Sequence, residues 1–240
     1  MNRPGSPEAI RAAAAATDGF LTEDEGGRLV ELAHHAAQSR IGPVVEVGGY
    51  LGRSTLYLAS GIAASATSCR LYSIDHHHGS EEMQAGWPDH DPRLVDPLTG
   101  RIDTLARWRA AIDAASVESF VIAVVGDSAT VAQDWSTPLS LVFVDGGHGT
   151  ETCWADYRGW GQLVAPGGVL AFHDVYPDPA DGGRPPYECY LDAIGSGAFT
   201  EDVSAALGSL RVLRRVEAKT AAVALPSASK SAANSTAAAE

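Results

Sequence analysis

The sequence is poor in basic residues and contains no long apolar run. Its 240 residues include 17 Lys and Arg against 30 Asp and Glu, which gives a formal net charge of −13. Because no Lys/Arg cluster could follow a phosphate backbone, we expect neither a nucleic acid nor an anionic membrane surface as a partner. No segment approaches the roughly 18 consecutive apolar residues of a membrane span, and residues 1–20 contain no signal-peptide core. We therefore expect a soluble, cytoplasmic protein.

Cysteine is also scarce. The three cysteines, Cys69, Cys153 and Cys189, are widely spaced and form no C-x-x-C pair. Their odd number and spacing argue against a disulfide framework and against a thiolate zinc site, so we expect small buried residues. The chain is 45% hydrophobic, which is enough for one sizeable core and one main domain.

The dinucleotide fingerprint G-x-G-x-x-G is absent, and a different glycine turn stands in its place. Residues 44–55 read VVEVGGYLGRST. The valines predict a buried strand, the glycines permit a tight turn close to a ligand, and Arg53 or Ser54 begins a helix. A carboxylate at position 46 would repel a pyrophosphate but attract ammonium and sulfonium groups, so the turn favours S-adenosylmethionine over NAD. The cofactor-binding candidates here are Glu46, Gly48, Gly49, Gly52 and Ser54.

Acidic residues also follow the next four predicted strands, which are 70–74, 120–125, 139–144 and 169–172. They are Asp75, then Asp127 with Ser128, then Asp145, and finally Asp174 preceded by His173. The carboxyl ends of parallel strands share one edge of a sheet, where α/β proteins bind ligands. Asp75, Asp127, Ser128 and Asp145 complete the cofactor-binding candidates. We expect Asp75 to bind a ribose, and Ser128 could also cap the next helix. Asp127 either accepts a hydrogen bond from an adenine amine or serves only the turn.

Local patterns predict the segments around these strands. Residues 1–40 form an N-terminal helical cap with helices at 7–16 and 22–38, the second beginning with a capping box. Further helices are predicted at 102–115, 151–163 and 184–194, and two last strands at 199–205 and 210–216. Residues 217–240 contain almost no large apolar side chain, which predicts a disordered tail.

The segment 76–100 has no periodicity and is rich in His, acids, Pro and Gly. A loop of this length is either a substrate lid or a solvated insertion. If it is a lid, Trp87 could stack on a sugar ring together with Tyr176 and Tyr187.

With acidic residues at the carboxyl ends of its predicted strands, the sequence resembles the class I S-adenosylmethionine-dependent methyltransferases. The resemblance rests on VEVGGYLGRST, LYSIDHH, VVGDS, LVFVDGGH and LVAPGGVLAFHDV. It implies an α/β fold in which residues 41–216 form a Rossmann-like, doubly wound, mostly parallel seven-stranded sheet behind the N-terminal helical cap. The motif VDGxH is typical of a branch that holds many O-methyltransferases.

Within that branch the sequence is similar to metal-dependent O-methyltransferases of sugars and polyketide glycosides and to the cephalosporin hydroxylase-like group. On DHHHGSEE and HDV it is also similar to O-methyltransferases of methylmannose oligosaccharides. This similarity implies a magnesium ion held by Asp145, His173 and Asp174. An imidazole is softer than the ligands Mg²⁺ prefers, so His173 is a metal ligand, a residue behind the ligands or a substrate contact. A site without metal is the alternative, because metal-free methyltransferases also carry acids at strand ends.

Five of the eight histidines follow predicted strands, namely His76, His77, His78, His148 and His173. An alcohol is barely ionised at neutral pH, so methyl transfer to its oxygen needs a general base or a cation. We predict His148 as the base, with His76 and His173 as competitors and Asp145 as the catalytic carboxylate.

These patterns together predict an O-methyltransferase that uses S-adenosylmethionine and Mg²⁺ and acts on a hydroxyl of a sugar or glycoside, either a small molecule or an oligosaccharide. A phenolic or antibiotic acceptor is the first alternative. An NAD-dependent oxidoreductase is the second, although its fingerprint is missing. A non-catalytic ligand sensor is the third, although Asp145 and His148 are both present. A homodimer is the assembly we consider.

Overall fold

The computed structural model describes residues 5–216, so the predicted disordered tail at 217–240 lies outside the described residues. The helices are α1 (Pro7–Ala16), α2 (Glu23–Ser39), α3 (Arg53–Ser65), α4 (Leu105–Ala114), α5 (Ser128–Gln133), α6 (Thr150–Gly161) and α7 (Arg184–Gly195). The strands are β1 (Val44–Val47), β2 (Leu71–Asp75), β3 (Val121–Val125), β4 (Leu139–Val144), β5 (Val164–Phe172), β6 (Phe199–Glu201) and β7 (Arg211–Arg215). Two 3-10 turns, Glu81–Met83 and Pro92–Leu94, lie within the segment 76–100.

The seven strands form one sheet in the order β3-β2-β1-β4-β5-β7-β6. The first five are parallel to one another, and β7 runs antiparallel to both β5 and β6. The chain order reverses between β1 and β4, which opens a crevice at the carboxyl ends of these strands. The predicted doubly wound, mostly parallel seven-stranded sheet is confirmed.

Each central strand is apolar on both faces because helices cover both sides of the sheet. On β4, Leu141 and Phe143 pack in one core with α1 to α4, and Val142 and Val144 pack in the other with α6 and α7. Successive side chains of a strand point to opposite faces, so one apolar run supplies two cores.

The N-terminal helices are confirmed and pack on α3. Helix α2 begins with a capping box in which the Thr22 side chain accepts from the Glu25 N–H and the Glu25 carboxylate accepts from the Thr22 N–H. Two glycines permit the close contact between α2 and α3: a Cβ on Gly26 would lie 2.4 Å from the Tyr57 ring, and a Cβ on Gly61 would lie 2.2 Å from the Val30 carbonyl oxygen.

Some predicted boundaries were wrong. The turn expected at 165–168 lies inside β5, which begins at Val164 and shifts its register against β4 between Leu139 and Leu141. The last two strands are shorter than predicted. Asp127, rather than Ser128, caps α5, since its side chain accepts the N–H of Thr130. Within residues 5–216, none of the helices combines the length and the apolar character that crossing a membrane requires.

Gly61→Ala should destabilise the protein, because its new methyl group overlaps the backbone of α2. We expect a loss of about 1–3 kcal/mol in the free energy of unfolding, measured by urea denaturation. Gly195→Ala is the matched control: no atom lies within 4 Å of its added Cβ, and it should be neutral or stabilising by up to about 1 kcal/mol. Equal stability of Gly61→Ala and wild type would contradict the close packing of α2 on α3.

Candidate active site

A cavity of about 620 Å³ lies at the carboxyl ends of the parallel strands. Its walls come from the glycine turn after β1, the ends of β2 to β5, residues 79–83 of the predicted lid, and residues 182–183 before α7. The cavity therefore occupies the crevice where the sheet topology reverses. Of the residues that the structure describes, eight with carboxylate side chains line it, and Arg53 is the one Lys or Arg that does so.

The glycine turn approaches β4 so closely that side chains are excluded. Gly48 has φ +92°, and a Cβ there would lie 2.1 Å from the carbonyl oxygen of Asp145. A Cβ on Gly49 would lie 2.6 Å from the Ser73 hydroxyl oxygen. Of the predicted cofactor-binding residues, Gly48, Gly49 and Ser54 line the cavity, whereas Gly52 does not. Gly52 instead precedes the first residue of α3 with φ +100°, so its contribution is conformational.

Glu46 does not reach the cavity, which corrects the prediction of a direct contact with the cofactor. Its side chain is fully buried, and one carboxylate oxygen accepts hydrogen bonds from the hydroxyls of Thr55 (2.6 Å) and Ser73 (2.7 Å). Trp108 Nε1 donates to the same Thr55 hydroxyl at 3.1 Å. Burial raises the pKa of Glu46 to about 7. The residue is thus a buried support beneath the turn.

Asp75 lines the cavity, and it also holds the glycine turn in place. One of its oxygens accepts the backbone N–H groups of Gly49 and Tyr50, both at 2.9 Å, and the other accepts that of His77 at 2.6 Å. Tyr50 and His77 have φ values of 44° and 60°, which are unfavourable for residues with a Cβ. Such conformations persist where the surroundings enforce them, commonly at ligand sites.

At the end of β3 the cavity is lined by Asp127, Ser128 and Asp156. Asp127 Oδ1 accepts hydrogen bonds from both the N–H and the hydroxyl of Thr130, so this residue stabilises the turn between β3 and α5. Asp156 on α6, which the sequence did not suggest, is 3% exposed, and its Oδ1 accepts a hydrogen bond from the Ser128 hydroxyl. Burial raises the pKa of Asp156 to about 6.

At the other end of the cavity the structure brings together Asp145, His148, His173 and Asp174. His173 Nδ1 lies 3.0 Å from Asp145 Oδ1 and 3.2 Å from Asp174 Oδ2. His148 Nε2 lies 3.0 Å from the same Asp174 oxygen, and its Nδ1 lies 3.6 Å from Glu82 Oε1. Asp174 has φ 54°, the third non-glycine residue of this site with a left-handed backbone.

These groups perturb one another's protonation. Burial raises the pKa of Asp145. The hydrogen bond to Asp174 raises the pKa of His148. The carboxylates around His173 raise its pKa, and His148 and His173 lower the pKa of Asp174. In each case the interaction outweighs burial, which acts in the opposite direction. Without another cation, the cluster therefore favours a protonated His173.

Asp145, His173 and Asp174 are also arranged as ligands of a single cation. Each offers one ligand atom, and these atoms all lie within 4.8 Å of one another. Ligand atoms bound about 2.1 Å from one ion and at right angles to each other lie about 3.0 Å apart. Both distances from His173 Nδ1 match this spacing, and Nδ1, though buried, has no partner in hydrogen-bonding geometry among the described residues. The donor set therefore fits a divalent cation.

Other predicted residues lie elsewhere. His76 lines the cavity, but its Nδ1 accepts the N–H of His78, and it forms no ion pair with a carboxylate of the described chain. Trp87 is half-exposed, and neither it nor Tyr187 lines the cavity, whereas Tyr176 does. Phe20 of the N-terminal cap also lines the cavity, 5.5 Å from the Tyr50 ring.

Glu46→Gln tests the buried carboxyl beneath the turn. A carboxyl whose pKa is 4.5 in the unfolded chain and about 7 in the native state binds a proton more tightly when folded. Its contribution to stability is therefore greatest below pH 4.5 and declines as the pH rises to about 7.

The Gln variant keeps the acceptor oxygen and loses this titration. Between pH 5 and pH 7 it should gain stability relative to wild type by roughly 1.4 kcal/mol per pH unit, measured by urea unfolding. Parallel pH profiles of the two proteins would show that Glu46 does not titrate in this range.

Comparisons with known proteins agree with this geometry. Residues 45–175, more than half of the chain, match a family model described as a methyltransferase domain. The O-methyltransferase TomG from Streptomyces achromogenes, crystallised with S-adenosylmethionine, is 18% identical with a TM-score of 0.55, over 89% of this chain and 92% of TomG. The O-methyltransferase from Bacillus cereus, crystallised with S-adenosylhomocysteine, is 16% identical with a TM-score of 0.53, over 88% and 89% of the two chains.

CalS11, a TDP-rhamnose 3′-O-methyltransferase of calicheamicin biosynthesis, is 16% identical with a TM-score of 0.55, over 77% of each chain. At these identities the structural likenesses bear on the fold, and the family assignment rests on the model match. The protein belongs to the family of methyltransferase domains.

Proposed function

We propose that this protein is an S-adenosylmethionine-dependent O-methyltransferase whose acceptor is a hydroxyl group of a sugar or glycoside. The observation that carries the proposal is that one cavity joins the glycine turn and Asp75 to the cluster of Asp145, His148 and Asp174. A cofactor lying along the strand ends places its methyl group near titratable side chains that can act on an oxygen nucleophile.

The adenosine portion fits the half of the cavity formed by β2 and β3. Asp75 is available to the ribose, although three backbone N–H groups already occupy part of its carboxylate. Asp156 is better placed than Asp127 to accept from the adenine amine. Asp127 Oδ1 already accepts from Thr130, whereas Asp156 Oδ2 accepts no hydrogen bond from any residue between 5 and 216. The methionine portion then extends past Gly48 towards Asp145.

The charge of the cavity favours an acceptor without phosphate. Among the described residues its one lining arginine is Arg53, whose Nε and Nη1 donate hydrogen bonds to the backbone carbonyls of Ala15, Thr17 and Leu21 and are therefore already committed. The lid contributes Glu81 and Glu82 to the lining. A neutral polyhydroxyl acceptor suits these carboxylates better than a nucleotide sugar such as that of CalS11.

A phenolic or antibiotic acceptor is the second candidate. The rings of Phe20 and Tyr50 form an aromatic pair at 5.5 Å beside the cavity, which could hold a flat ring. TomG, whose fold is similar, is described as acting in tomaymycin synthesis. Methyl transfer to a phenol rather than to a glycoside would favour this candidate.

In the proposed mechanism the unprotonated Nδ1 of His148 takes the proton from the attacking hydroxyl, while Nε2–H donates to Asp174. Asp174 contacts its Nε2 and Glu82 approaches its Nδ1, so the ring is held between two carboxylates that stabilise the imidazolium once it forms. Asp145, His173 and Asp174 would hold a divalent cation, Mg²⁺ in the simplest case. When bound, such a cation stabilises the developing alkoxide charge. Closure of residues 79–83 over the cavity would exclude water.

Thermal unfolding with added ligands tests the cofactor assignment. S-adenosylhomocysteine and S-adenosylmethionine should raise Tm and NAD should not, since a ligand at a hundredfold excess over Kd adds about 2.7 kcal/mol of stability. Asp156→Asn should reduce the shift, while Asp113→Ala, an exposed helical residue, should leave it unchanged. Stabilisation by NAD alone would overturn the assignment.

Asp145→Ala should abolish turnover far more than cofactor binding. We expect a loss on the order of 100-fold or more in kcat, the scale of removing one electrostatic group at a reaction centre. The S-adenosylhomocysteine shift in Tm should persist. Turnover is measured with labelled S-adenosylmethionine and a panel of sugars, glycosides and phenols, with and without EDTA. If chelator affects neither the wild type nor the variant, the cation has no role.

A further inference from the structure

Glu25, the capping-box residue of α2, is buried next to the candidate metal site. The side chain is 4% exposed although it carries a carboxylate. One oxygen accepts from the N–H and hydroxyl of Thr22 at 3.2 and 2.7 Å, and the other from the N–H and hydroxyl of Ser209 at 2.9 and 3.1 Å. A Cβ on Gly208 would lie 2.6 Å from that second oxygen, and this glycine has φ +56°. The carboxylate is thus fixed from two sides.

This carboxylate faces the ring of His173. Glu25 Oε2 lies 3.4 Å from His173 Nε2, on the opposite side of the ring from Asp145 and Asp174. A carboxylate next to one ring nitrogen favours the tautomer that carries the proton there, as second-shell carboxylates do for metal-binding histidines. The lone pair of Nδ1 is then left facing the two aspartates.

A lone pair that faces two carboxylates is stable only if a positive charge lies between them. The three carboxylates sum to a charge of about −3 in a site where Glu25 is buried and Asp145 and Asp174 are only partly exposed, which is costly unless it is compensated. A proton on Nδ1 would leave about −2, whereas a dication bound to neutral His173 would leave about −1. Nε2 lies 3.4 Å from Glu25 Oε2 but outside hydrogen-bonding geometry, so Glu25 acts on the ring through its charge. Nδ1 has no hydrogen-bonding partner among the described residues, although carboxylate oxygens lie 3.0 and 3.2 Å away. The geometry at Nδ1 suits a lone pair that points between these two oxygens.

We propose that Glu25 is a positioning residue that holds His173 in its Nε2–H tautomer, so that Nδ1 binds a divalent cation together with Asp145 and Asp174. Because one of the three ligands is an imidazole, the site binds a transition-metal dication such as Mn²⁺ more tightly than Mg²⁺. The inference rests on the cation included in the proposed function. To that cation the inference adds two points: Glu25 orients the ligand His173, and the cation is a transition-metal dication.

Binding of Mn²⁺ to the full-length protein tests this directly. Free Mn²⁺ is measured by electron paramagnetic resonance during titration, and Mg²⁺ is added as competitor. Wild type should bind Mn²⁺ about tenfold or more tightly than Mg²⁺. The bound ion should show electron spin-echo modulation from a ¹⁴N ligand, and His173→Glu should abolish the modulation and reduce the preference for Mn²⁺.

The matched pair of variants is Glu25→Gln and Glu23→Gln. Both remove one negative charge from the first turn of α2, but Glu23 is exposed and takes no part in the hydrogen bonds of Glu25. Glu25→Gln should weaken Mn²⁺ binding about 10- to 100-fold, the usual effect of losing a second-shell partner. Glu23→Gln should bind as wild type does. The S-adenosylhomocysteine shift in Tm reports the folded state and the cofactor site in every variant.

Each remaining result has a defined meaning. Unchanged Mn²⁺ affinity in Glu25→Gln would overturn the positioning role, and equal affinities for Mg²⁺ and Mn²⁺ would overturn the selectivity. If wild type binds no Mn²⁺ yet is stabilised by S-adenosylhomocysteine, His173 is an imidazolium and this proposal fails while the cofactor assignment stands. If Glu25→Gln does not fold, Ser209→Ala, which loosens the carboxylate without removing its charge, should weaken Mn²⁺ binding, and wild-type affinity in that variant would count against the role.

Discussion

The ring of His173, held between three carboxylates, is the interaction on which this edge of the protein depends. Glu25 comes from α2, Asp145 follows β4 and Asp174 follows β5, so one side chain links the N-terminal cap to the two strands at the centre of the sheet. Ser209, in the turn before β7, joins the group through Glu25. The burial of so many charges is tolerable only when each has an opposite charge or a hydrogen bond. The site thus contributes to how these segments meet.

A second constraint is the close approach of the glycine turn to β4. Gly48 leaves no room for a Cβ against the Asp145 carbonyl, and the turn is held from below by Glu46 and from the side by Asp75. The two carboxylates have different tasks despite their similar places in the sequence. Asp75 accepts hydrogen bonds from backbone N–H groups at the rim of the cavity, whereas Glu46 accepts hydrogen bonds from hydroxyl groups in the core.

The strands and the shared edge could be predicted from the sequence because they depend on local patterns. Runs of β-branched residues that end in an acid or a glycine predict buried parallel strands, and parallel strands necessarily end at one edge. The same pattern predicts that Asp145, His148 and Asp174 lie together, and the geometry agrees. It does not indicate which side of the strand end each side chain faces. Glu46, one residue before the last of β1, therefore points into the core rather than towards a ligand.

Residues whose roles arise from contacts between distant segments were not predictable in this way. The sequence predicts Glu25 as part of a capping box, and the structure contains that capping box. Its second role depends on the packing of α2 over the end of β5, which no sequence spacing encodes. Asp156 lies within a predicted helix whose pattern gives this position no particular role, yet the approach of α6 to α5 places it beside Ser128 at the cavity.

The N-terminal cap therefore belongs to the active site as much as to the core. Arg53, the first residue of α3, donates to the backbone carbonyls of Ala15 at the end of α1 and of Thr17 and Leu21 in the segment that follows, which holds Phe20 against the cavity next to Tyr50. Glu25, a few residues further along, faces His173. A helical extension that only covered apolar surface would need neither contact. Since the cap supplies both an aromatic wall and the carboxylate behind His173, replacing it would be expected to alter acceptor choice and cation binding together, if the proposed function is correct.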